Sequence, residues 1–199
     1  MAIEFIEKSE FMTDSTDRTK SKGSEAVMDY VMSWCLRNVT NNEKKIKYPK
    51  LYYQCKYMLC KLLGKENNLN NITFQAVKVW KEWENIDLFV EVELQENERF
   101  EKHIIIIENK VYSTMKPNQR DEYPKKVDAW KNQDEDWKNA KTHYRVITCC
   151  APGDGGYKNL VEFCRNTDWK VFSSEEVVDW NVESYTELDL FNDFWFAHW

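Results

Sequence analysis

Residues 103–112 read His-Ile-Ile-Ile-Ile-Glu-Asn-Lys-Val-Tyr, and the four isoleucines running directly into Glu108 and Lys110 decide the fold class. Side chains alternate between the two faces of a strand, so an unbroken apolar run implies burial on both. Only an interior strand of a covered sheet provides that. Upstream, Ile86 to Leu94 (IDLFVEVEL) and Ile72 to Trp80 are also β-rich, and the polar stretch Gln95 to Lys102 fits a loose hairpin turn. If that turn centres near Asn97 and Glu98, antiparallel partners have residue numbers that sum to about 195. Asp87 then stands opposite Glu108 on one face, and Lys110, two residues on, points the same way. Glu91 and Glu93 share that face and extend the acidic patch.

Working outward, the N-terminal side is helical. Ile3 to Met12 reads as a short helix and Thr13 to Gly23 as a loop, with Ser24 as N-cap of a helix to about Arg37. Val27, Tyr30, Val31 and Trp34 fall on one face of that helix. Tyr48 to Leu63 has similar spacing and stops at Gly64. On the C-terminal side the pattern predicts a helix over Asn118–Lys131, a strand over Tyr144–Cys149 and a turn through Ala151–Gly156. A helix over Tyr157–Cys164, a strand over Trp169–Ser173 and a helix over Ser174–Trp180 follow. The order describes an α/β protein with a mixed central sheet flanked by helices. The 199 residues suit one domain, with a core over 24–181 and an aromatic, acidic C-terminal helix over 182–199.

No apolar run approaches the length of a membrane span, and Met1 to Glu10 lacks the pattern of a secretory signal. The expectation is a soluble, cytoplasmic protein with no membrane partner. Six cysteines without CxxC pairing argue against a zinc ribbon, a disulfide framework or an iron–sulfur cluster and predict buried, reduced thiols. The three histidines, His103, His143 and His198, make no metal-ligand spacing and receive no role.

The net charge of −6 argues against a nucleic-acid partner until its distribution is considered. Seven acids and no lysine or arginine lie beyond Lys170, so the rest of the chain carries 28 basic against 34 − 7 = 27 acidic residues. Between Asn41 and Lys65 seven lysines stand against one acid, Glu43. Lys44, Lys45 and Lys47 head that block and are candidates for phosphate contacts, the alternative being a solvated helix surface.

Directly opposed carboxylates destabilise a strand pair, so Asp87 and Glu108 ask for a compensating cation. A divalent metal suits them, since Mg2+ prefers hard oxygen ligands, takes one or two carboxylates, keeps several waters and adds substrate phosphate. Such an ion lowers the pKa of a bound water and stabilises charge developing on a phosphate. Lys110 can orient or help deprotonate that water, or stabilise the transition-state charge. An ordinary surface salt-bridge cluster is the competing reading.

Ile86-Asp87 followed by a strand ending Glu108-Asn109-Lys110 resembles the D…(D/E)xK signature of the PD-(D/E)XK nuclease superfamily. More narrowly, IIIIENKVYS followed by NQRDEY is similar to a bacterial branch whose strand ends in ENK. The resemblance spans about Ser24 to Asn181. It implies a restriction-endonuclease-like fold and Mg2+- or Mn2+-dependent phosphodiester hydrolysis, with nucleic acid, DNA first, as partner. It also implies, by fold-level analogy, a tie to genome defence. On that pattern Asp87 and Glu108 bind metal, Asn109 offers its backbone carbonyl and Lys110 is the catalytic lysine. Glu25 is a further ligand candidate from the helix before the sheet, although an acid there also complements the helix dipole. Gln119 and Tyr123 would steady the site and contact nucleic acid. Two departures stand out: Ile86 replaces the proline of the signature, and Pro124 follows Tyr123, where it threatens a kink. The rival reading is a catalytically silent or partner-gated nuclease-fold module acting in binding or assembly.

The C-terminus from about Glu183 holds Tyr185, Leu188, Leu190, Phe191, Phe194, Trp195 and Phe196 before the final Trp199. So apolar a helix face either closes the chain's own core or meets a second copy or another protein.

Overall fold

A computed structural model describes residues 22–181 and 185–196; the helix expected over Ile3–Met12 lies outside them. Three antiparallel strands, β1 (Ile72–Trp83), β2 (Ile86–Glu96) and β3 (Arg99–Lys110), open a single mixed sheet. Then β4 (Lys141–Thr148) and β5 (Trp169–Ser173) add in parallel, in the spatial order β1-β2-β3-β4-β5. Beta3 is the central strand, and all four isoleucines are fully buried. Ile105 and Ile107 enter one core and Ile104 and Ile106 the other.

The helices divide between these cores. Alpha1 (Lys22–Asn38), α3 (Pro49–Leu63) and α6 (Asp189–Trp195) pack with Ile105 and Ile107. Alpha4 (Pro117–Lys131) and α5 (Gly155–Phe163), which connect the parallel strands, cover the other face. Two like-handed crossovers between consecutive parallel strands belong on one face. Among the described residues no helix is long and apolar enough to cross a membrane.

Several expectations need correction. The β2–β3 connection is a tight turn, with Glu96 paired to Arg99 and only Asn97 and Glu98 between them. Both turn residues have positive φ, 46° and 69°, the geometry that matches the twist of a two-residue hairpin. The register is as expected from the turn centre, with Leu88 opposite Ile107. Alpha1 already includes Lys22 and Gly23, so Ser24 lies within the helix rather than at its cap. Its core face is Met28, Val31, Met32, Cys35 and Leu36, with Val27 and Trp34 packed against the same core as expected, while Tyr30 is 65% exposed. A short helix, α2 (Asn42–Lys47), went unpredicted because it buries no residue. Ser174–Trp180 is only a 3-10 turn over Ser174–Val177, closed by reciprocal bonds between Ser173 and Glu176. All six cysteines are reduced and buried.

Pro124 sits inside α4 without ending it. A proline deprives the carbonyl four residues earlier of its helical donor. That carbonyl belongs to Arg120, and the Trp169 indole N–H donates to it at 3.0 Å.

Parallel pairing of β3 and β4 also joins two histidines that are forty residues apart. Arg145 donates to His143 Nδ1 at 3.1 Å, so His143 carries its proton on Nε2, 2.9 Å from His103 Nδ1. His103 in turn donates through Nε2 to Glu101 at 2.8 Å. Every ring nitrogen is engaged, so the pair is a neutral relay and not a metal site. Burial and the Arg145 charge push His143 from 6.5 down to about 3, and burial also lowers His103. A histidine whose folded value is depressed contributes stability above its unfolded value and loses it as pH falls towards the folded one. Between pH 6.5 and 4 the loss should be on the order of 2 kcal/mol. His143→Gln, which cannot titrate there, should flatten the pH dependence of the urea midpoint; equal slopes in both proteins would refute the assignment.

Candidate active site

The site forms where β2 begins and β3 ends. Antiparallel register and strand alternation place Asp87, Glu108 and Lys110 on the α4 side and Asn109 on the α1 side. Glu108 is fully buried, Lys110 is 6% exposed, and Asp87 is half-buried. Lys110 Nζ stands 2.5 Å from Glu108 Oε1, and Gln119 Nε2 donates to the same oxygen. Gln119 is itself fixed by the Lys116 backbone N–H, 2.9 Å from its Oε1. Tyr123 donates to the Asn85 carbonyl and lies 3.5 Å from Gln119 Nε2. Both side chains of the helix motif therefore reach the end of β3.

Asn109 ties the strand together in the other direction. Its backbone N–H donates to Asp87 Oδ2 at 2.8 Å, and its side-chain Nδ2 donates to Asp29 Oδ1 at 2.6 Å. Asp29, on α1, was not foreseen. It follows Glu25 by four residues, one helical turn along the same face, and that spacing was the available signal. Glu25 accepts from Ser113 Oγ at 2.5 Å and lies near enough for its charge to raise Asp29 and Asp87.

The electrostatics follow from crowding acids in a dry place. Burial pushes Asp29 up to about 7, against the hydrogen bond from Asn109. Burial, reinforced by the Asp87 charge, raises Glu108, and burial raises Asp87 in turn. Burial alone would lower Lys110, but the charge and hydrogen bond of Glu108 outweigh it and hold the ammonium above its ordinary value. Elsewhere on the sheet the acids are neutralised. Glu91 takes the Trp80 indole at 3.1 Å and Lys78 at 3.8 Å, and Glu93 takes Lys102 at 3.5 Å, so neither joins the site.

Among the described residues no three His, Cys, Asp or Glu side chains come together at metal-binding spacing. Magnesium does not require three, since one or two carboxylates with a carbonyl and waters suffice. Glu108 meets that demand, because its Oε1 is occupied by Lys110 and Gln119 while its Oε2 is buried, accepts from no donor and neighbours the Asp87 carboxyl. A buried carboxylate oxygen without a donor is costly, and a cation removes the cost. The donor set of Asp87, Glu108 and the Asn109 carbonyl therefore fits a hard divalent ion.

Lys44, Lys45 and Lys47 lie on a different part of the surface chemistry. Lys44 stands over Trp34 and Tyr48, Lys45 over Tyr52 and Lys47 over Tyr48, at 5.0–5.6 Å from the ring centres. Among the described residues these contacts are with aromatic rings and not with the carboxylates of the site.

No curated protein and no solved structure matches the chain. A sequence profile of the PD-(D/E)XK nuclease superfamily matches residues 17–189, which takes in the whole sheet and every residue of the site. With that match, the chain belongs to the PD-(D/E)XK nuclease superfamily.

Proposed function

We propose that the protein is a Mg2+- or Mn2+-dependent nuclease that hydrolyses phosphodiester bonds in DNA. The observation that carries this is Glu108: one oxygen clamped by Lys110 and Gln119, the other buried without a donor beside the Asp87 carboxyl. Asp87, Glu108 and the Asn109 carbonyl would hold the ion, with Glu25 at its margin. The bound ion would supply a more acidic water and stabilise charge developing on the phosphate.

The chain's own groups divide the remaining work. Gln119 keeps the Glu108 carboxylate in one orientation, and Tyr123, anchored on Asn85, backs Gln119. Asn109 joins Asp87 to β3 and, through Asp29, to α1, so the two acid-bearing strands and the helix are tied together by hydrogen bonds. Lys110 is held as an ammonium, which suits stabilising negative charge on a phosphate oxygen better than accepting a proton. Lys44, Lys45 and Lys47, which make no ion pair among the described residues, are proposed to contact phosphates further along the substrate. The same family analogy extends the proposal to a cytoplasmic role in genome defence.

The test is incubation of the purified protein with plasmid, linear duplex, single-stranded DNA and RNA, each with Mg2+, Mn2+ or EDTA. Cleavage of DNA that EDTA abolishes is the expected result. Cleavage of RNA alone would move the substrate assignment, and no cleavage of any of them would favour a catalytically silent module.

A further inference from the structure

The rim of the site carries an aromatic–lysine pair that binding and polarising a phosphate do not require. Tyr30 follows Asp29 on α1 and is 65% exposed, while Met28 and Val31 on either side of this pair are buried. Lys81 Nζ stands 3.0 Å from the centre of the Tyr30 ring. Lys81 pairs across β1 and β2 with Leu88, the neighbour of Asp87, and its charge reaches Asp29. Both side chains therefore lie on the α1 face of the sheet beside Asp29, at the end of the sheet where Asp87 stands. Beta1 is the edge strand, and among the described residues no further strand covers this side. Among the described residues Lys81 makes no ion pair, although acids lie close by.

An ammonium without a carboxylate partner, at the sheet end that carries the proposed phosphodiester site, suits a phosphate. An exposed ring next to it suits the flat face of a nucleobase, and Lys81 covers only one side of that ring. A base inside a duplex already has both faces stacked on its neighbours and cannot offer one. We infer that Tyr30 and Lys81 grip the nucleotide flanking the scissile phosphate, and that the substrate carries an unpaired base there, as in a single strand, a flap or a frayed end. This rests on the nuclease reading above and narrows its substrate class.

The experiment is fluorescence anisotropy with a labelled single-stranded 20-mer and a hairpin duplex of the same composition, in Ca2+ to prevent turnover. Tyr30→Ala should weaken single-strand binding about tenfold, the effect of one base stacked on one ring, and leave the duplex within about twofold. Tyr30→Phe and Tyr30→Trp should keep wild-type affinity, since they keep the ring. Lys81→Ala should weaken binding and reduce the slope of log affinity against log salt by about one. Because Tyr30 is exposed, the variants should match wild type in thermal melting, and the comparison is made on proteins that do. Unchanged single-strand affinity in Tyr30→Ala, or an equal loss on duplex, overturns the inference while leaving wild-type DNA cleavage, and so the nuclease reading, intact. A wild-type protein that binds and cleaves no nucleic acid overturns both.

Discussion

Lys110→Ala is expected to lower turnover by about two to three orders of magnitude while leaving Mn2+ affinity within about twofold of wild type. Lysine is no ligand, but among the described residues its ammonium is the cation that ion-pairs with Glu108, at 2.5 Å. Removing one partner of a buried ion pair usually costs about 3–5 kcal/mol, because the other charge is left uncompensated. Here the loss should be smaller. Burial already raises the Glu108 pKa, so the carboxyl can take up a proton in the metal-free state, and a bound ion neutralises it otherwise. The variant should therefore melt close to wild type in Mn2+ and still fail to cut. Single-turnover cleavage beside thermal melting separates the two effects, and near-wild-type turnover would remove the lysine from the chemistry.

Phe191→Glu should unfold the protein rather than split an oligomer. Phe191, Phe194, Trp195 and Phe196 are each at most 1% exposed and join the core that holds Ile105 and Ile107. The Trp180 and Tyr185 rings pack edge-on against Phe196, with centroids 5.1 and 5.8 Å away. Thr186 and Asn192 lock the entry to α6 through three hydrogen bonds between them, at 2.8–2.9 Å. A carboxylate in that setting leaves a cavity and a buried charge, a combination that costs about 4 kcal/mol or more. Circular dichroism with light scattering should report loss of structure. A folded monomer derived from a wild-type dimer would instead return the segment to the role of an interface.

What could be read in advance followed local physics. The isoleucine run implied burial on both faces, and the turn centre set the pairing of β2 with β3, so Asp87, Glu108 and Lys110 could be brought together before any coordinates. The length of the turn was misjudged because the hairpin's far end is held by Lys102, Glu93 and Arg99 rather than by apolar side chains, and charged strands look like loop. On α1, Val27, Val31 and Trp34 do face the core, and Tyr30 does not. The burial of that helix is set by the sheet on one side and α3 on the other, and periodicity within one helix cannot locate the second neighbour. Placing Tyr30 inward hid both the burial of Asp29 and the exposure of Tyr30 itself. The link between His103 and His143 depends on a parallel pairing across forty residues, which leaves no local trace. Pro124 broke no helix because Trp169, brought over by β5, satisfied the carbonyl that the proline abandoned.

The account stands most directly on a calorimetric titration of Mn2+ into wild type, Asp87→Ala and Glu108→Ala. Wild type should bind, and both substitutions should weaken binding about tenfold or more, in keeping with the loss of a carboxylate ligand from a site that offers two. Glu108→Ala should have the larger effect, because it removes the buried oxygen that accepts from no donor. Undiminished Mn2+ binding in both variants would contradict the metal site and, with it, the assignment of the chemistry to the ends of β2 and β3.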